Sequence, residues 1–173
     1  MVAGDIMVRK VITAKASETL DEVLQRFASH HIGGMPVVDD EGRLIGIITD
    51  GDIMYRLRRE QSVYLDGLVA ALVWHDEGVL EERAAALARV PVIKAMTKQV
   101  IAITPDTELR DVAAVLSEKK IKKVPVIDNQ NSRKLVGIIS RGDIVRIVVR
   151  LIHGESIPQN GEDEHSALSS KPN

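Results

Sequence analysis

The chain has 173 residues, of which 45% are hydrophobic and 28% charged, with a formal net charge of −2 at pH 7. This composition supports a hydrophobic core, and the near-neutral charge argues against a general nucleic-acid binder, which is usually strongly basic. Aromatic residues make up 2% of the chain and cysteine is absent, which argues against a base-stacking platform and excludes disulfides and cysteine-based zinc sites.

The N-terminal ten residues, MVAGDIMVRK, include the acidic Asp5 and lack the apolar stretch of a secretory signal. No later run approaches the roughly 18 apolar residues that a membrane span needs. We therefore expect a cytoplasmic protein.

The second half of the chain repeats the first. Leu20 and Val23 recur as Leu109 and Val112, and the frame GIITDGD at Gly46–Asp52 recurs as GIISRGD at Gly137–Asp143. Similarity at matched positions indicates a duplicated structural unit.

Each repeat predicts elements in the order β-α-β-β-α, which gives an α+β fold. A short β run, Val11–Ala14 or Val100–Ile103, precedes an amphipathic helix with Ser17 or Asp106 as the expected N-cap. A buried strand (MPVVD or VPVID), a turn, a second strand (LIGIIT or LVGIIS) and a helix follow. The first turn of that last helix carries the aspartate of the frame.

The segment between the repeats is longer than a plain linker. Apolar residues of Leu65–Val73 follow helical spacing, and Glu81–Val90 is rich in alanine. We expect one or two helices here that pack on the module or on a partner, with Trp74–His75 at a turn between them. The tail from Gly154 to Asn173 has no apolar periodicity and is predicted to be disordered.

The frame [ST]-x-G-D allows two interpretations. It is a capping box, in which the hydroxyl and the aspartate satisfy backbone groups at a helix start. It also suits a nucleotide, because free N–H groups of the first turn favour a phosphate, and a carboxylate accepts hydrogen bonds from a ribose diol. The residues alone leave both interpretations open.

These repeats resemble a tandem pair of CBS domains, the Bateman module, over about Gly4–Leu57 and Ile93–Leu151. The resemblance implies two CBS repeats, at residues 4–59 and 93–153, forming one pseudo-twofold module, with a helical segment at 60–92 and a tail at 154–173. It also implies a homodimer through the repeat helices, which suits the apolar final helix from Ile144 to Ile152.

The resemblance further implies two clefts, each combining the aspartate frame of one repeat with strands of the other. Site A is expected to comprise Ile12, Ile32, Gly33, Met35, Ser140, Arg141 and Asp143. Site B is expected to comprise Ile101, Ile121, Lys122, Val124, Thr49 and Asp52. Site A is expected to be tighter, because Arg141 stands beside the phosphate position, where site B has Asp50, and Gly33–Gly34 leaves room for a base.

Two further motifs, a lysine-rich run and a histidine pair, each allow more than one interpretation. Lys119–Lys123 suits a solvated helix end, a phosphate contact by Lys122 or Lys123, or a nucleic-acid contact. His30–His31 suits a helix C-terminal cap better than a metal site, because neighbouring helical residues point about 100° apart.

The sequence therefore favours a regulatory module that senses an adenosine nucleotide, AMP or ATP above all, and signals to an effector protein. ADP and S-adenosylmethionine share the adenosine group, and the basic residues favour a phosphate. The alternatives are an interaction module with degenerate clefts and a nucleic-acid binder. No catalytic residues, metal or catalytic cofactor are predicted, so the chain is not expected to be an enzyme.

Overall fold

The computed structural model describes residues 1–59 and 77–156. Its elements in chain order are α1 (Ala3–Ile6), β1 (Ala14–Lys15), α2 (Leu20–Ser29), β2 (Gly34–Val38), β3 (Leu44–Thr49), α3 (Asp50–Arg59), α4 (Glu77–Ala88), α5 (Val92–Ala95), α6 (Leu109–Glu118), β4 (Lys123–Ile127), β5 (Leu135–Ser140) and α7 (Arg141–Ile152). The α+β class and the repeat order of the main elements are as predicted.

The chain forms two compact units whose composition does not follow the repeats. Unit 1 consists of Met1–Val11, Gly42–Leu44 and Ile101–Asn173, and unit 2 consists of Ile12–Glu41 and Ile45–Val100. Each unit therefore contains the segment that leads into the other repeat. The boundaries predicted from the duplication describe the sequence repeats, whereas the units describe the packing.

Methionines explain this exchange of leading segments. Met7 lies against Gly137 in unit 1, and Met96 lies against Gly46 in unit 2, so closely that a Cβ on either glycine would overlap the methionine side chain. Backbone pairing accompanies both contacts. The Val8 and Ile138 amides donate to each other's carbonyls at 3.0 Å, and the Ile47 and Thr97 amides do the same at 3.0 and 2.9 Å. The first glycine of each frame thus makes room for a methionine.

In unit 2, β1, β2 and β3 form one sheet, with Ala14 paired to Val37 in parallel. The predicted strand at Val11–Ala14 is wrong in extent, because the paired residues are Ala14 and Lys15. Helix α2 begins after Thr19 and not after Ser17, because Thr19 and Glu22 form a capping box in which the Thr19 amide donates to Glu22 at 2.7 Å.

In unit 1, β4 and β5 pair antiparallel, with Val124 opposite Ile139. The predicted strand at Val100–Ile103 is reduced to a single bridge between Ile103 and Val126. Helix α6 begins after Glu108 and not after Asp106, whose carboxylate instead accepts a hydrogen bond from the Thr104 hydroxyl. A threonine that engages the aspartate in a turn moves the helix start two residues on.

Each unit has its own core of aliphatic side chains. The unit 1 core comprises Ala3, Ile6, Met7, Ile103, Val112, Leu116, Val124, Val126, Ile139 and Ile147. The unit 2 core comprises Ala14, Leu20, Val23, Met35, Val37, Ile48, Ile53, Leu87, Val92 and Ala95. Full burial of one such large aliphatic side chain stabilises a fold by about 1.5–3 kcal/mol.

The connecting segment is described in part. Helix α4 confirms the helix predicted at Glu81–Val90, and its Leu87 is buried in the unit 2 core. The predicted helix through Leu65–Val73, the turn at Trp74–His75 and the tail from residue 157 onward lie outside the described residues.

The helix ends before β2 and β4 match one another. His30 is the C-cap of α2, as predicted, and His31 has a φ of 50°; Lys119 is the C-cap of α6, and Lys120 has a φ of 54°. Each repeat thus ends its first long helix with a non-glycine residue in the left-handed region, a conformation with a steric cost.

Candidate functional site: two aspartate frames at helix starts

In unit 1, the frame lies where β5 passes into α7. Ser140 is the N-cap, and its Oγ accepts a hydrogen bond from the Asp143 amide at 3.3 Å. The Asp143 Oδ2 atom accepts from the Ser140 amide at 2.6 Å and from the Ser140 hydroxyl at 2.7 Å. The capping interpretation is therefore confirmed for this frame.

In unit 2, the frame between β3 and α3 has the same geometry. The Asp52 Oδ2 atom accepts from the Thr49 amide at 2.8 Å and from the Thr49 hydroxyl at 2.7 Å. The Asp52 amide donates to the Thr49 hydroxyl at 3.4 Å. Both helices begin two residues before the aspartate, at Asp50 and Arg141.

Capping leaves the second carboxylate oxygen of each aspartate outside the box. Its partners differ between the units: the Asp143 Oδ1 atom accepts from the Arg146 guanidinium, whereas the Asp52 Oδ1 atom accepts from the Thr97 hydroxyl at 3.3 Å. The Thr97 contact is long for a hydroxyl donor, whose usual range is about 2.5–3.0 Å. A carboxylate can therefore cap the helix through one oxygen and accept hydrogen bonds from a ligand through the other.

Arg141 lies at the start of α7 but directs its guanidinium toward the end of α6. Its Nε donates to the Ile121 carbonyl at 2.8 Å, and its Nη2 donates to the Leu116 carbonyl at 3.0 Å. A cation at a helix C-terminus is favoured by the helix dipole. The expected phosphate contact of Arg141 thus competes with a structural role that sequence reasoning missed.

Asp50 occupies the position in unit 2 that corresponds to Arg141. Its amide donates to the Gly33 carbonyl at 3.0 Å, and its Oδ1 accepts from the Gly51 amide at 2.8 Å. A Cβ on Gly33 would lie 2.9 Å from the Asp50 Oδ2 atom, and one on Gly34 would lie 3.3 Å from the Thr49 side chain. The space beside both glycines is therefore taken up by neighbouring side chains, whereas the sequence suggested room for a base.

The strand residues of the predicted sites divide by burial. Met35 and Val124 are fully buried in the cores and have no exposed surface. Ile12, Ile32 and Ile121 pack partly buried against the cores. Ile101 is 40% exposed, and Lys122 is exposed.

Within each unit, the structure brings the frame next to the loop before the first long strand. In unit 1 the Arg141 amide donates to the Lys122 carbonyl at 3.0 Å, and Lys123 pairs with Ser140. Ile121, Lys122 and Val124 thus belong to the same unit as Ser140 and Asp143. Predicted sites A and B each draw residues from both units, and that combination stays a prediction.

Neither a metal site nor a membrane-spanning helix is present among the described residues. No group of three or more histidine, cysteine, aspartate or glutamate side chains is placed to hold a metal ion in the described part of the chain. Within residues 1–59 and 77–156, every helix is too short or too polar to cross a membrane.

Comparison with known proteins shows related chains and folds. An uncharacterized protein of Methanocaldococcus jannaschii, MJ1426, is 28% identical over 158 residues, which cover 86% of this chain and 92% of that protein. The chloroplastic CBS domain-containing protein CBSX2 of Arabidopsis thaliana is 26% identical over 156 residues; the chain spans 63% of its length.

Two solved structures of CBS pairs carry adenosine-containing ligands. The CBS domain pair of MJ0100, in complex with 5'-methylthioadenosine and S-adenosyl-L-methionine, is 27% identical, with a TM-score of 0.65 over 86% of this chain and 96% of that chain. CBSX2 in complex with AMP is 25% identical, with a TM-score of 0.65 over 87% of this chain and 98% of that chain.

The family model for the CBS domain matches two segments of the chain, residues 3–59 and 87–150. These segments contain both aspartate frames together with the strands and helices that position them. The chain therefore belongs to the CBS domain family, as a tandem pair of CBS repeats.

Proposed function

We propose that this chain is a regulatory module that binds an adenosine nucleotide of the AMP, ADP or ATP type and signals its occupancy to a partner. The observation that carries the proposal is the shared geometry of the frames. In each, a carboxylate is held at a helix start by two hydrogen bonds to one oxygen, while the other oxygen lies outside the capping box.

The chemistry of the frame suits a ribose and a phosphate together. A fixed carboxylate oxygen accepts hydrogen bonds from a ribose hydroxyl, and such bonds to a charged group are each worth about 1.5–3 kcal/mol. The positive dipole end at the start of α3 or α7 favours a phosphate. Because the aspartate is fixed before the ligand arrives, little ordering entropy opposes binding.

The similar CBS pairs support an adenosine ligand, since one is in complex with AMP and the other with 5'-methylthioadenosine and S-adenosyl-L-methionine. The basic residues Lys122, Arg141 and Arg146 of unit 1 support a phosphate-bearing ligand over a sulfonium. AMP and ATP are the ligands that this charge favours most. Sites A and B are the proposed binding residues.

A thermal-shift titration with AMP, ADP, ATP and S-adenosylmethionine tests this proposal, with 2'-deoxy-AMP as the matched control. We expect AMP to raise the melting temperature and 2'-deoxy-AMP to raise it far less, because the deoxy sugar lacks one donor to the aspartate. Equal shifts with both would show that the frames do not read a ribose. No shift with any adenosine ligand would contradict the proposal.

The exposed face of α7 supports a homodimer formed through the repeat helices. Val145, Val149, Leu151 and Ile152 are 61%, 47%, 56% and 73% exposed. Apolar surface of this kind is usually covered in a working protein. We expect light scattering at micromolar concentration to give twice the chain mass, and Val145→Glu with Val149→Glu to give the monomer mass. A monomeric wild-type protein would contradict this assembly.

The same face favours a second candidate function, a protein-interaction module with degenerate clefts. An effector regulated in trans would then dock without an adenosine ligand. The two functions separate in the thermal-shift experiment, because only the first requires a response to a ribose nucleotide. In both cases we propose that the chain acts in the cytoplasm. We also propose that it is not an enzyme, since neither frame contains a histidine or cysteine beside its hydroxyl.

A further inference from the structure

We infer that Arg146 makes the Ser140–Asp143 frame selective for adenosine ligands that carry a phosphate. This inference rests on the proposed function and adds a specificity-determining residue to it. It starts from the ion pair between Arg146 and Asp143, which joins the third residue of α7 to the sixth, one turn further along the helix.

Arg146 binds the carboxylate oxygen of Asp143 that a ribose needs, Oδ1. The Oδ2 atom already accepts two hydrogen bonds, both from Ser140, at 2.6 and 2.7 Å. A carboxylate oxygen has two lone pairs, so Oδ2 has no further acceptor position for a ribose diol. Two ribose hydroxyls must therefore use Oδ1, where the Arg146 guanidinium is bound.

Arg146 is the movable partner of this pair. The Asp143 side chain is 13% exposed and is held by the cap, whereas the Arg146 side chain is 48% exposed. An adenosine without a phosphate displaces the arginine from Oδ1 and offers it no replacement anion. Binding of adenosine thus loses part of the ion-pair energy.

A phosphate gives the displaced arginine a new partner nearby. The Arg146 Nη1 atom lies 3.7 Å from the position that a Cβ on Gly142 would take, so the guanidinium lies over the first turn of α7. The same turn favours an anion, and arginine binds a phosphate through two parallel hydrogen bonds. A nucleotide therefore replaces the lost contact, and adenosine does not.

The unit 2 frame lacks this arrangement. Tyr55 stands at the position that corresponds to Arg146, and the Asp52 Oδ1 atom accepts from the neutral Thr97 hydroxyl at 3.3 Å. A hydroxyl can rotate away without leaving a charge unpaired. Adenosine binding at Asp52 consequently breaks no ion pair among the described residues.

Titration calorimetry of the full chain with adenosine and with AMP tests the inference. The Asp52→Asn background weakens the unit 2 frame, so that the measured affinity belongs to the Asp143 frame. In this background, we expect Arg146→Gln and Arg146→Tyr to bind adenosine more tightly and AMP more weakly, lowering the preference for AMP about tenfold. Arg146→Lys should retain part of the preference, because it keeps the charge without the planar fork.

Arg150→Gln, one turn further along α7, is the matched control for loss of a positive charge, and it should leave the AMP preference unchanged. An equal fall in both affinities for Arg146→Gln would indicate a merely structural role and overturn the inference, as would an unchanged preference. If neither ligand binds the parent protein, this result contradicts the proposed function itself, and with it the inference about Arg146. Thermal melting by circular dichroism confirms that each variant is folded.

Discussion

The two aspartate frames share their backbone geometry and differ in the side chains that contact them. Both build the same capping box, with hydroxyl-to-carboxylate distances of 2.7 Å. Next to the capping box, unit 1 has Arg141 and Arg146, whereas unit 2 has Asp50 and the Thr97 hydroxyl. The duplication thus preserved the element that starts a helix, while the neighbours that decide charge and acceptor strength diverged.

The helix end that precedes each frame differs in the same way. In unit 2, the Phe27 carbonyl accepts from the Ile32 amide at 3.1 Å, a backbone closure. In unit 1, the matching Leu116 carbonyl accepts from the Arg141 guanidinium at 3.0 Å. In unit 2 a nearby backbone amide satisfies this carbonyl, whereas in unit 1 a side chain from another helix does so. The helix end in unit 1 is therefore sensitive to substitution of Arg141.

The largest expected effect separates the two frames by ligand affinity. Asp143→Ala should lower AMP affinity at least about tenfold, because it removes charged hydrogen bonds worth about 1.5–3 kcal/mol each. Asp52→Ala should lower it less, because Asp50 offers a like charge near the phosphate of that frame. Titration calorimetry measures both, and loss of binding in Asp52→Ala alone would reverse the ranking.

The next effect tests what the two units have in common. Gly46→Ala and Gly137→Ala each place a Cβ against a methionine, so each should lower the free energy of unfolding by about 1–3 kcal/mol. Gly51→Ala is the control, because the nearest atom to its Cβ, the Thr49 Oγ1, is at an ordinary 3.5 Å. Urea unfolding measures the three variants, and unchanged stability of Gly46→Ala would contradict the close methionine contact.

Arg141→Gln sharpens the contrast between the two helix ends. We expect it to lower the free energy of unfolding by about 1 kcal/mol, since two carbonyls lose a donor. Hydrogen exchange should rise in residues 117–123 and stay unchanged in residues 28–34, where the backbone closes the helix. Equal exchange in both segments would show that Arg141 does not hold the end of α6.

The smallest effect is the pH dependence of one ion pair in unit 2. The Arg26 guanidinium donates to Glu18 at 2.7 and 2.8 Å and holds the pKa of that carboxyl below its ordinary value. A depressed pKa in the folded state adds stability above the unfolded pKa, and this stability is lost as the pH falls through the folded pKa. Because the Arg26 and Glu18 side chains remain 29% and 20% exposed, solvent screening should limit the gain to under about 1 kcal/mol.

Glu18→Gln should remove this contribution. Stability of the wild type and the variant, measured by urea unfolding from pH 7 to pH 3, should converge at the acid end. In unit 1 the corresponding residues are Thr107 and Val115, which cannot form such a pair. A constant difference between the proteins across this range would show that the ion pair does not stabilise unit 2.

The sequence predicted the order of the main elements well, because their signals are local. A short apolar run marks Leu44–Thr49, and helically spaced apolar residues mark Leu109–Glu118, within a few positions. The N-caps were misplaced at Ser17 and Asp106, although Thr19 and Glu22 carry a readable capping-box pattern. The short strand at Ala14–Lys15 was overextended because propensity does not show which residues find a partner.

By itself, the sequence determined the duplication, the α+β class and the two aspartate frames, since a cap joins residues only three positions apart. Tertiary structure alone decided that Met7 packs on Gly137 and that Arg141 holds the end of α6. It also decided that Arg146, and not solvent, faces the second oxygen of Asp143. The first two contacts join residues far apart in the chain, and the third depends on one side-chain conformation; neither property leaves a periodic signal in the sequence.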